Sequence, residues 1–235
     1  MWPKVSRVNI FIFGTSKIEK SVDLGPEGMI PLEARFHHDP DSTHGFVGAT
    51  LSSNIFHWYK DDSGELQIEK IIDVDAIDVA DFPVPMPGLV TDILVSMDDK
   101  YLYFSNWLHG DLRQYDISDP FNPTLRGQVW IGGLLGKASE VNGRSVDGAP
   151  QMIQLSLDGK RLFVTTSLFS TWDNQFYPSM KDKGGIMLIV DCDVENGGMA
   201  IRKDFHIDFG NEPQGPARAH ETRYPGGDCS SDIWV

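Results

Sequence analysis

The chain has 235 residues, 40% of them hydrophobic and 11% aromatic, enough to pack one all-β domain or two small ones. Lysine and arginine together number 20 against 34 aspartates and glutamates, and the resulting net charge of −14 speaks against a nucleic-acid surface, which needs clustered basic charge. No stretch approaches the ~18 apolar residues of a membrane span, and the start, MWPKVSRVNIFIFGTSK, lacks the long apolar region and small-residue cleavage site of a secretory leader.

Residues 8–13 and 18–24 read as a pair of strands, followed by a turn at Gly25-Pro26-Glu27-Gly28. Strands are expected over 32–37, 46–51, 55–59 and 66–74, with Asp61-Asp62-Ser63-Gly64 turning the chain into the last of them. Pro83, Pro85 and Pro87 make 82–88 a rigid connector, since proline cannot sit in a central strand. It leads into the run DILVSMDDKYLYFSNWLHGDLRQYDISDP. Here a strand at 93–96 is turned by Asp98-Asp99-Lys100, where aspartate can bond its own backbone two residues on. An aromatic-rich strand follows at 101–106, then the turn His109-Gly110-Asp111 and a strand at 112–117 stopped by Asp119-Pro120. A fourth strand is expected at 128–131, and 132–148 reads as a polar, mobile loop. Residues 152–155, 162–166, 186–191 and 205–209 form the next unit. It carries an insertion at 170–183 whose Trp172, Phe176 and Tyr177 are suited to fold over the surface. A last short strand is expected at 232–235.

The pattern repeats. ILVSMDDKYLYFSN aligns without a gap on IQLSLDGKRLFVTT, matching Ser96 with Ser156, Asp98 with Asp158, Lys100 with Lys160 and Leu102 with Leu162. A repeat of roughly 40–60 residues per four-stranded unit argues for a β-propeller, here an incomplete first blade and three full ones. Residues 232–235 could pair with 8–13 to close a small four-bladed ring, or the chain could be part of a larger propeller. The repeated positions read as architectural. Those that differ, His109 first, are the candidates for function.

No CxxC, HExxH, GxGxxG, P-loop or GxSxG is present, which removes the common zinc-protease, nucleotide and hydrolase motifs. A metal site would have to be assembled from the turns of successive blades. His109, in NWLHGD, is either a ligand or a turn histidine packed on Trp107. His38, in RFHHDP, is either a ligand or an exposed strand end, with His37 on the opposite face. His220 lies nine residues before Cys229. Neutral imidazole is the commonest metal ligand and thiolate suits soft metals, but Cys229 could equally be a small buried hydrophobe. Cys192, between Asp191 and Asp193, reads as structural, and His44, His57 and His206 as surface without a role. Two cysteines make no disulfide framework, so a soluble protein of the cytoplasm is expected.

PGLVTDILVSMDDKYLYFSNWLHGDLRQYDISDP, GAPQMIQLSLDGKRLFVTTSLFSTWDNQFYP and AHETRYPGGDCSSDIW closely resemble the selenium-binding protein family, also called methanethiol oxidase. The resemblance covers nearly the whole chain and, since members are about twice as long, implies a C-terminal half. It implies about half of a seven-bladed propeller and oxidation of methanethiol with O2 and water to formaldehyde, hydrogen sulfide and hydrogen peroxide. It also implies copper held by histidines. His38, His109 and His220 match positions where the family carries histidine, and Cys229, in the GGDCSSDIW signature, is the thiol candidate for selenium. The selenium-associated cysteine and some metal-site histidines of the family fall in the other half. Loop 132–148 is shorter than the family pattern. A small thiol is the implied substrate, and exposed blade edges invite self-association. The alternative is a selenium-binding or interaction module without turnover.

Overall fold

The computed structural model describes residues 5–12, 17–80 and 82–223. An incomplete blade at the start is represented by a hairpin of β1 (Arg7–Ile12) and β2 (Lys17–Asp23). Three complete four-stranded antiparallel sheets follow. Blade 1 is β3 (Pro31–Phe36), β4 (His44–Ala49), β5 (Asn54–Lys60) and β6 (Leu66–Asp73), in sequence order. Blade 2 is β7 (Val90–Val95), β8 (Tyr101–Asn106), β9 (Asp111–Asp116) and β10 (Thr124–Trp130). After a short hairpin of β11 (Glu140–Val141) and β12 (Arg144–Ser145), blade 3 comprises β13 (Ile153–Leu155), β14 (Arg161–Thr165), β15 (Ile186–Cys192) and β16 (Met199–Asp208). The all-β propeller architecture is as the repeat implied.

The blades stack through their faces. Every residue of β7 and β8 is buried, because blade 2 has a neighbour on both sides. The two-residue period of a strand sorts their side chains. Ile93, Val95, Leu102 and Phe104 pack with Phe46, Ile55 and Ile72 of blade 1. Leu94, Tyr101 and Tyr103 pack with Ile153, Leu155, Leu162 and Leu188 of blade 3. Each fully buried leucine or phenylalanine contributes about 1.5–3 kcal/mol. A polar link crosses the innermost strands of all three blades. The buried Asp92 on β7 lies 3.4 Å from Arg35 Nη2 on β3 and accepts 2.8 Å from the Ile153 amide on β13.

The repeated residues have one structural job. Ser96 Oγ donates to Asp98 at 2.5 Å and accepts from the Tyr101 amide at 2.9 Å. Ser156 does the same with Asp158 at 2.5 Å and the Arg161 amide at 3.1 Å. Each motif closes the turn between the first and second strands of its blade. The turn needs a positive φ at one position, +56° at Asp99 and +69° at Gly159.

Several boundaries differ from the sequence reading. The outer strands are longer: β10 starts at Thr124 rather than 128, and β16 at Met199 rather than 205. Each carries a register shift that breaks the two-residue alternation of its strand. Residues 132–148 are not simply loop. Asn142 and Gly143, at φ +50° and +71°, turn the β11–β12 hairpin, Val141 is fully buried, and Asn142 N donates to Lys203 O on β16. The insertion folds as two short helices, α1 (Ser170–Phe176) and α2 (Met180–Lys183), over the blade ends, as its aromatics suggested. Residues 232–235 and Cys229 lie outside the described residues, and so does the question of closure. No helix among the described residues is long and apolar enough to cross a membrane.

Candidate functional site

An antiparallel blade has two ends. The first strand turns into the second at one end, and the second turns into the third at the other. His109 sits at the second of these ends in blade 2, between β8 and β9. The turn is tight enough to require glycine. Gly110 has φ +89°, and a Cβ there would lie 2.0 Å from the Gly132 carbonyl oxygen. The His109 ring is fully buried, and Nε2 lies 3.0 Å from the Met86 carbonyl oxygen of the proline-rich connector. A carbonyl only accepts, so Nε2 carries the proton and Nδ1 the lone pair. Nδ1 is buried without a hydrogen-bond partner. Beside this turn, Trp107 packs edge-on against Tyr177 of the insertion at 4.9 Å, and the Tyr177 hydroxyl donates to the Trp107 carbonyl at 2.7 Å. Met86, Leu89, Leu108 and Met180 complete this apolar cap.

His220 belongs to the same end, on blade 3. Its carbonyl accepts from Thr165 Oγ1 at 2.6 Å, where β14 finishes. Its ring Nδ1 donates to the Ser167 carbonyl at 3.2 Å, which leaves Nε2 as the lone-pair nitrogen. The residue itself is exposed.

His38 is elsewhere. It follows β3, and both its amide and its Nδ1 bond Asp99 Oδ1, at 2.7 and 3.1 Å. Asp99 lies in the turn between β7 and β8, so His38 and His109 stand at opposite ends of β8. Six residues at about 3.3 Å each put roughly 20 Å between those ends. The expected trio of His38, His109 and His220 is therefore not one cluster, and among the described residues no group of three or more histidines, cysteines or acids is placed to hold a metal. Cys229 lies outside the described residues. Cys192 is buried, and burial pushes its thiol up to about 12, consistent with a structural role.

Reading His57 as a surface residue is wrong. β5 is a central strand, and His57 is fully buried on it under Phe121 from blade 2, whose ring is 4.9 Å away edge-on. His57 Nε2 and His44 Nδ1 share a hydrogen bond of 2.8 Å with their rings nearly coplanar, and His37 lies 5.7 Å from His44. His37, His38 and His44 line an open groove with Asp39, Asp98 and Asp99. Sequence spacing gave no sign of this group, because a cross-strand pair such as His44 and His57 shows only once register is known.

Comparison with known proteins gives the geometry its context. The family model for the 56 kDa selenium-binding protein (SBP56) matches residues 5–235. Selenium-binding protein 1 of Arabidopsis thaliana is 50% identical over 98% of this chain and 51% of its own length. A methanethiol oxidase of Xenopus tropicalis is 52% identical over 97% of this chain and 52% of its own, and one of Rattus norvegicus 56% identical over 89% and 48%. The chain thus spans about half the length of the curated relatives it matches. A solved structure of a hypothetical selenium-binding protein from Sulfolobus tokodaii superposes with a TM-score of 0.86 at 41% identity, covering 98% of this chain and 51% of that one. The β-propeller domain of Cps50 (Swd1) from Myceliophteria thermophila, TM-score 0.52 at 9% identity over 87% of this chain and 54% of that one, shares the fold alone.

Proposed function

The chain belongs to the 56 kDa selenium-binding protein family, and on that premise we propose that it contributes part of a copper site for oxidising methanethiol with O2 and water to formaldehyde, hydrogen sulfide and hydrogen peroxide. One observation carries the reading. At the end shared by His109 and His220, each ring gives one N–H to a backbone carbonyl and keeps the other nitrogen's lone pair, as metal-ligating histidines do. Among the described residues, the buried lone pair of His109 Nδ1 has no hydrogen-bond partner. Imidazole nitrogens suit copper in kind, and two of them are too few for a complete set. The remaining ligands would come from the part of the relatives' length that this sequence does not cover.

Bound copper would supply the one-electron chemistry that couples a thiol to O2. His220 Nε2 and His109 Nδ1 would hold it. The aromatic cap of Trp107, Trp172, Phe176 and Tyr177 would keep water from the His109 side, limiting side reactions. The substrate would be a small thiol, met in the cytoplasm.

Selenium or sulfur binding without turnover is the second reading. It is favoured by the names of relatives at about 50% identity and by the incomplete histidine set. Metal analysis with oxygen-consumption and peroxide assays on methanethiol separates the two. The oxidase reading expects copper binding, weak for want of the remaining ligands, that is lost in His220→Ala. Copper content and peroxide production both unchanged in that variant would overturn it. Retained selenium with neither copper nor peroxide would establish the second reading.

A further inference from the structure

His220 is held by more than its own two hydrogen bonds, and the structure assigns that task to an ion pair between Asp173 on the insertion and Arg218 on the segment that carries His220. We propose that Asp173 and Arg218 are positioning residues that fix the His220 ring with its Nε2 lone pair free. This rests on the reading of His220 as a metal ligand.

One peptide unit links the ion pair to the ring. The Ser167 carbonyl, which receives His220 Nδ1–H, and the Leu168 amide belong to the same peptide plane. In a trans peptide the C=O and N–H point in opposite directions, and no cis peptide occurs among the described residues. Asp173 Oδ1 accepts from the Leu168 amide at 3.1 Å, and Asp173 Oδ2 accepts from Ser167 Oγ at 2.6 Å. Holding one edge of the plane aims the other at His220. A carboxylate on the N–H also polarises the carbonyl and makes it a better acceptor.

Arg218 closes the circuit. Two residues before His220, its Nη1 lies 3.5 Å from Asp173 Oδ2 and its Nη2 donates to Asn174 Oδ1 at 2.7 Å. The segment 217–222 is thereby tied to α1 at Arg218. It is tied to the blade by the Ala217 carbonyl with the Gly185 amide at 2.9 Å and the Thr222 carbonyl with Gln154 Nε2 at 3.2 Å. Asp173 is fully buried, and a buried ion pair gains little stability over well-packed apolar groups. Its best-attested use is specifying one arrangement, and the arrangement here is the orientation of one imidazole. Aromatics mark the insertion in the sequence, whereas nothing local to Asp173 marks its role.

The test uses Arg218→Met, which keeps the packing and removes the charge, and Asp173→Asn, near-isosteric but with a donor where two donors already point. Long-range proton–nitrogen correlation spectra of the imidazoles report which nitrogen of His220 carries the proton, without any metal present. Wild type is expected to show protonated Nδ1 and bare Nε2. Both variants are expected to show a mixture, and titration with copper alone is expected to give a dissociation constant raised at least about tenfold, the usual effect of losing a partner behind a ligand. An unchanged His220 tautomer and copper affinity in a folded Arg218→Met protein would overturn the proposal, and that variant decides if Asp173→Asn does not fold. Copper binding unchanged in His220→Ala would instead sink the ligand reading, while the tautomer spectra still judge the brace.

Discussion

His57 has its ring sealed between Phe46, Tyr59 and Phe121 at centroid distances of 5.4, 5.0 and 4.9 Å. Burial first, then the nearby His44 and His37, hold its pKa down at about 4, and Asp119 opposes them weakly. Glu69 Oε1, 3.9 Å from Nδ1, is the other acid at hand. The unfolded chain, with histidine near 6.5, then takes up more protons than the folded one between about 6.5 and 4. Stability is full above the unfolded value and is lost as pH falls through that window, by at most about 3 kcal/mol at about 1.4 kcal/mol per unit. Urea melts from pH 7.5 to 4.5 are expected to show this slope, and His57→Phe to flatten it. An equal slope in the variant would assign the acid sensitivity to other groups. The same residue marks where sequence reading runs out. His38, His109 and His220 could be picked out from local strings, but which of them share an end depends on strand register. His44 and His57 become neighbours only through it.

At the scale of elements, the Ser-x-Asp turns were legible because they recur at one spacing and need no partner beyond five residues. The β11–β12 hairpin carried a readable Asn-Gly signal too, but its two-residue strands are too short to alternate. The insertion's helices could not be read. α1 has Phe169 at its N-cap, with no side-chain cap, and is held by tertiary contacts. The inner strands are coupled by Arg35 and Asp92. Burial pushes the Asp92 carboxyl up to about 8, against the pull of Arg35 and the Ile153 amide. Removing Arg35 leaves that carboxyl to be buried charged or protonated. Arg35→Met is therefore expected to destabilise the fold more at pH 8.5 than at pH 6, and the excess is limited to about 1 kcal/mol, because the wild-type carboxyl starts to ionise only near 8 and each unit of pH is worth about 1.4 kcal/mol. A loss independent of pH would mean that Arg35 acts through packing alone.

At the scale of the molecule, the described blades form an arc. The inner strands β3, β7 and β13 stand side by side, and the side of β3 turned away from blade 2 shows Leu32 at 52% and Phe36 at 62% exposure. Such apolar side chains beside strand edges favour association. The net charge of −14 opposes it until salt screens the repulsion. Light scattering is expected to show self-association that grows between 20 and 500 mM salt, and a monomer throughout would contradict this. The central claim is that the blade ends sort the histidines, with His109 and His220 at one end and His38 at the other. Copper titration of the chain beside its His38→Ala, His109→Ala and His220→Ala variants tests it most directly. The account predicts that affinity falls at least about tenfold in the latter two and is unchanged in His38→Ala. A loss in His38→Ala as large as that in His220→Ala would contradict it.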